Sequence, residues 1–230
     1  AIGPLDVFED RNGIISILND NVFDHSYIND IGKEFGLLNP GVDIKKYPVC
    51  YASHAAADGV NSIIKSNNIT IENIDTIICT VPPIIASNLT FHNPKTVKEA
   101  QFSLEFSIAM ILKYGDIKLE HLSSDYILNS DTQNLFNKVK MAVGKLPKNI
   151  ESSKKVCPEW SNIELFTKSG EHFEKFVGAP LGSSLNPLSG NMLYKKFNSC
   201  VQFSKINIET KSIYEKLINI EKVKNCQELF

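Results

Sequence analysis

IDTIICTVP, residues Ile74 to Pro82, is the stretch on which the fold turns. Ile74, Ile77, Ile78, Cys79 and Val81 form an almost continuous apolar run, rich in β-branched residues and closed by Pro82. A run of this length and composition reads as a buried strand. Downstream lies NPKTVKEAQFSLEFSIAMILKYGD, residues 93–116, where the hydrophobic period changes. Thr96 and Glu99 make a Thr-x-x-Glu capping box. Val97, Ala100, Leu104, Ile108 and Ile111 fall on one helical face, and Phe102, Phe106 and Ala109 on a second. One helix from Val97 to Tyr114 is therefore expected, stopped by Gly115 and covered on both sides, by a sheet and by another domain.

Further along, Asp131 is read as the cap of a helix over TQNLFNKVKMAVG. NIELFTKSG and EHFEKFVG alternate around Ser169-Gly170 as a hairpin, with Ile163, Leu165 and Phe173 inward. GAPLGSSLNPLS reads as a connector, lacking the G-K-[ST] ending of a phosphate loop. Two helices follow, GNMLYKKFNSCVQF and TKSIYEKLINIEKV, with Ser189 and Thr210 as N-caps. Upstream, VDIKKYPV reads as a strand and YASHAAADGVNSIIKS as a helix, after short helices over 4–38 broken by Gly13, Gly32 and Gly36. The order is helices, a mixed block, then helices. The expected class is α+β, a mixed unit inserted between helical segments, with divisions at 1–39, 40–178 and 179–230.

Composition narrows the function. The chain has 230 residues, 43% hydrophobic and 22% charged, with formal net charge −2. That balance gives no global case for nucleic acid or an anionic membrane. The lysine-rich stretch 138–155 lacks interleaved aromatics. No apolar run approaches the roughly 18 residues of a membrane span. Five cysteines are widely spaced with no C-x-x-C, which fits a reducing compartment: the cytoplasm, or a mitochondrial matrix in a eukaryote. No pair of ligands has metal spacing, and no cofactor is expected. The opening AIGPLDVFEDRNGIISIL reads as the interior of something already folded, so a fragment or processed product is expected.

The chemistry gathers at DIKKYPVCYASHAAADGV, residues 43–60. Lys45 and Lys46 run into a Tyr47-Pro48 corner, Cys50 follows, and His54 and Asp58 stand at i and i+4 on the next helix. Unpaired N–H groups at a helix start, beside an ammonium, suit a carboxylate or phosphate. Alternation allows only one of Lys45 and Lys46 to share that face. Lys45, Cys50 and His54 are the candidate catalytic groups, with Lys46 and His92 as candidate substrate contacts. His92 precedes Asn93-Pro94 and is placed at a pocket mouth.

Three ordered stretches, DIKKYPVCYASHAAADG, HNPKTVKEAQFSLEFSIAMILKYGD and GAPLGSSLNPLSGNMLYKKF, resemble blocks of the MmgE/PrpD family. GPLDVFEDRNGII also resembles a segment of that family, with Asp10 where Gly is usual. The resemblance covers nearly the whole chain and implies the C-terminal half, including an α+β lid carried on a helical domain. It implies a lyase acting on a small di- or tricarboxylic acid, most directly 2-methylcitrate-type dehydration as in propionate metabolism; no metal is needed if cationic side chains stabilise the developing charge. A cis-aconitate-type decarboxylase or an epimerase of the same family is the alternative, and a non-catalytic ligand-binding or dimerisation fragment is another. Lys45 or Lys46 falls at the family's lid lysine. Cys50 falls where dehydratases carry Cys and decarboxylases His, and His54 matches a following His. The implied partners are an N-terminal helical domain outside this chain and a second copy in a homodimer. This chain alone is expected to lack the complete active site.

Overall fold

The computed structural model describes residues 3–147, 150 and 156–229. Two compact units divide at Val42/Asp43. The first holds α1 (Ile14–Asn19) and a 3-10 turn at His25–Asp30. Its apolar side chains stay largely exposed, among them Leu5, Leu18 and Leu38.

The second unit, Asp43–Phe230, carries the sheet. After a 3-10 turn at Tyr51–Ser53 comes α2 (His54–Asn67), then β1 (Ile74–Val81) and α3 (Pro83–Asn88). Helices α4 (Val97–Gln101), α5 (Leu104–Tyr114), α6 (Ser124–Ile127) and α7 (Ser130–Phe136) lead to β2 (Val139–Val143). β3 (Ser161–Thr167) and β4 (His172–Val177) make the hairpin, and α8 (Gly190–Ser204) and α9 (Thr210–Leu217) follow. The sheet order is β2-β1-β3-β4; β1 pairs parallel with β2 and antiparallel with β3. Helices with a four-stranded mixed sheet make this an α+β unit, as the sequence leads one to expect.

β1 is central, and Ile77, Cys79 and Val81 point into the core while Ile78 and Thr80 are only half-buried. α2 packs on β3 and β4, and α5 packs against α2, α7 and β2. Gly59 lets α2 approach the sheet: a Cβ there would stand 2.3 Å from Ile163 Cδ1. Burial of Cys79 pushes its thiol up to about 12, so it is a core residue rather than a nucleophile.

Several local expectations change. The 97–114 helix is two helices. Ser103 caps α5 by accepting from the Phe106 N–H at 3.1 Å, which ends α4 at Gln101. The capping box is half-made: Thr96 accepts from Glu99 N, but the Glu99 carboxylate accepts from Lys95 N at 2.6 Å. α5 is buried from Leu104 to Leu112, so the apolar surface of this stretch is confined to Val97, Phe102 and Tyr114. TQNLFNKVKMAVG is helix and then strand, with Asn129 rather than Asp131 as the N-cap. Glu209, not Thr210, caps α9, while Ser189 caps α8 as expected. Val42–Val49 is not a strand: residues 42–45 are irregular and 46–49 are bends. The lysine-rich stretch 138–155 lies partly outside the described residues.

Ser103→Ala is expected to destabilise the unit by about 1–2 kcal/mol, through loss of the α5 cap in a buried setting. A urea midpoint equal to that of the parent would show that α5 does not depend on this cap.

Candidate active site at the 43–58 corner

The irregular run from Asp43 to Val49 is held by backbone contacts to distant loops. Ile44 N–H donates to the Gly182 carbonyl at 2.7 Å, and Cys50 N–H to the Gln101 carbonyl at 2.7 Å. Gly182 has φ +104°, and a Cβ there would lie 2.1 Å from the Ile44 carbonyl oxygen, so glycine is required for this approach. The Asp43 carboxylate accepts from Ser184 N–H at 2.7 Å. The 178–186 loop, read from sequence as a connector, is thus part of the corner.

Asp58 is the hub. Its Oδ1 accepts from Lys46 Nζ at 2.8 Å and from the Tyr47 hydroxyl at 3.0 Å, and its Oδ2 accepts from Leu181 N–H at 2.8 Å. Lys46 Nζ also donates to the Tyr47 hydroxyl oxygen at 2.6 Å. Burial, and then the Asp58 charge, hold the Tyr47 hydroxyl well above the usual phenol range, so it stays protonated as a donor.

Of the five sequence candidates, Lys45 is exposed and has no ion-pair partner among the described residues, whereas Lys46 is committed to Asp58. Cys50 is half-buried with a free thiol at the start of the 3-10 turn. His54 is fully buried between Tyr47 and Tyr51, with ring centroids at 5.1 and 4.9 Å. Neither ring nitrogen has a hydrogen-bond partner; the Val49 carbonyl favours the charged ring without meeting hydrogen-bond geometry. Burial dominates and lowers the His54 pKa to about 4, against the opposing pull of Asp58. His92 belongs to a different cleft, of about 470 Å³, from those that Lys46 lines. There its Nδ1 pairs with buried Glu105 at 2.7 Å, and Ser103 Oγ donates to the other Glu105 oxygen at 3.3 Å.

Sequence reading named Asp58 beside His54 without giving it the hub role, and it missed the Leu181 N–H and the Gly182 contact. Only Asp58 left a signal, its i+4 spacing from His54. Among the described residues no group of three or more His, Cys, Asp or Glu side chains could hold a metal ion. No helix among them is long and apolar enough to cross a membrane.

A family model matches most of the chain. The model of the MmgE/PrpD C-terminal domain matches residues 47–219, beginning just after Lys45 and Lys46. No curated protein matches the chain. The match implies dehydratase or lyase-type activity in broad terms.

Proposed function

The chain belongs to the MmgE/PrpD family, and from that premise we propose that it is the lid-bearing part of a lyase for a small di- or tricarboxylic acid, with 2-methylcitrate-type dehydration as the reaction. The observation that carries the site is the contrast between neighbours. Lys46 is taken up by Asp58 and Tyr47, while Lys45 is exposed and unpaired beside the Cys50 turn. An unpaired ammonium can hold a substrate carboxylate and stabilise the charge that grows when the adjacent C–H proton leaves. Lys46, locked by its ion pair, sets the direction of the corner. His54 lies behind it as a neutral ring and acts as a positioning residue. In this reading the remaining acid and base come from the family's helical domain, and the working assembly is a homodimer.

Dehydration is preferred to decarboxylation because Cys50 stands where the family's decarboxylases carry an imidazole. A thiol is a weak hydrogen-bond partner and does not replace an imidazole in proton transfer. The test is hydro-lyase turnover of 2-methylcitrate-like, citrate-like and cis-aconitate-like acids by the assembled enzyme. Lys45→Ala is expected to lower kcat/KM by about a hundredfold, the scale for losing one transition-state charge contact. Activity within about twofold of the parent would remove Lys45 from the site. Carbon dioxide release from cis-aconitate at the hydration rate would replace dehydratase by decarboxylase.

A further inference from the structure

A second cationic feature lies away from Lys45. α8 turns Met192, Lys195, Lys196 and Ser199 toward a cleft of about 400 Å³, whose other wall carries Lys46, Lys65 and Lys118. The spacing of those four α8 residues puts them on one helical face. A helix that docks on its neighbours normally turns an apolar stripe inward. α8 does this with Tyr194 and Phe197, which pack against Tyr214 of α9, and on a second face it turns two lysines toward three more across the cleft.

Two of the five are occupied: Lys46 by Asp58, and Lys118 by Glu120 at 3.4 Å. Lys65, Lys195 and Lys196 have no ion-pair partner among the described residues. Asp116 is the one carboxylate on the described lining, and its Oδ1 already accepts from the Ile117 N–H at 2.9 Å. Ile117, Leu188 and Met192 supply an apolar floor, which excludes part of the water that would otherwise screen the ammonium groups. Like charges facing one another across a partly apolar cleft repel, and a bound anion removes that repulsion.

We propose that this cleft binds a small, multiply charged anion, carboxylate or phosphate, whose charged groups meet Lys65, Lys195 and Lys196 and whose body rests on Ile117, Leu188 and Met192. The site does not depend on the Lys45 reading, since Lys45 does not line it.

The test is calorimetric titration of the full chain with tripolyphosphate and with citrate at constant ionic strength, with acetate as the singly charged control. Tripolyphosphate, citrate or both are expected to bind, and acetate is not; which of the two loses affinity in the variants of this cleft identifies the anion's chemistry. The Lys195→Ala/Lys196→Ala double variant is expected to weaken binding about a hundredfold, near tenfold for each charged contact. Lys65→Gln, on the opposite wall, is expected to weaken it about tenfold. Relief of repulsion should leave the ligand-free Tm of each variant equal to the parent's or higher, which separates lost binding from lost fold. Lys45→Ala leaves tripolyphosphate affinity unchanged, so failure of the Lys45 reading and failure of this one are distinct. Absence of binding by the parent would overturn the proposal. So would anion binding that keeps the parent's affinity in the double variant and in Lys65→Gln, whether or not it is lost in Lys45→Ala.

Discussion

Asp58→Ala is expected to cost the fold about 3 kcal/mol, a large part of the stability of an ordinary domain. The carboxylate takes three donors at once: Lys46 Nζ, the Tyr47 hydroxyl and the Leu181 N–H. The Lys46 and Asp58 side chains are only 20% and 14% exposed, so the pair lies closer to the buried limit than to a solvated surface bridge. Alanine leaves a fully buried phenol and a backbone amide without their acceptor, and the ammonium with the Tyr47 hydroxyl oxygen but no counter-charge. Asp58→Asn keeps an acceptor oxygen and should lose about half as much. Lys46→Met leaves Asp58 with the Tyr47 and Leu181 donors, and should cost about 1 kcal/mol. Urea midpoints of the three variants give the ranking. A loss below about 1 kcal/mol for Asp58→Ala would mean that the corner is held without its hub.

Lowering the pH should weaken the fold through His54 by up to about 3 kcal/mol. Burial keeps the folded ring neutral down to about pH 4, while the unfolded ring takes its proton near 6.5. Between those values the unfolded chain binds a proton that the folded chain refuses. The stability is therefore complete above about pH 6.5 and falls as pH drops toward 4. Asp58 and the Val49 carbonyl favour the charged ring, Lys45 and Lys46 oppose it, and burial outweighs them all. His54→Phe keeps an aromatic ring between Tyr47 and Tyr51 and removes two unpaired buried nitrogens. Its urea midpoint should lose the part of the acid dependence that comes from this window. The difference between the two proteins reports the ring together with its interaction with Asp58. Identical slopes between pH 7 and 4.5 would show that His54 reaches water or a partner before global unfolding.

The strand at Ile74 was legible because β-branched apolar density is a local property. The hairpin was legible because Gly170 and the flanking alternation are local too. β2 was hidden inside a helical period: Val139–Val143 becomes a strand because β1 offers a parallel edge more than fifty residues earlier in the chain. Local periodicity carries no record of such a partner. Ser103 was read as one residue of a helix, yet its hydroxyl competes for the Phe106 N–H and restarts the helix. At the corner, the residue types pointed to charge and proton chemistry, but alternation was the wrong rule for choosing between two lysines. The chain bends there instead of extending, and Asp58, twelve positions on, decides the matter.

The clasp between the 43–58 corner and the 178–186 loop has a topological consequence. Asp58 meets Leu181 and Asp43 meets Ser184 across 123 and 141 positions of sequence. The sheet-bearing block thus begins and finishes its path at one spot on its own surface. A polypeptide that hosts such a block need not part its own backbone by more than the width of that clasp. Ends placed this close meet the geometric condition for moving a block between scaffolds, and for opening it elsewhere and rejoining it at the clasp by circular permutation.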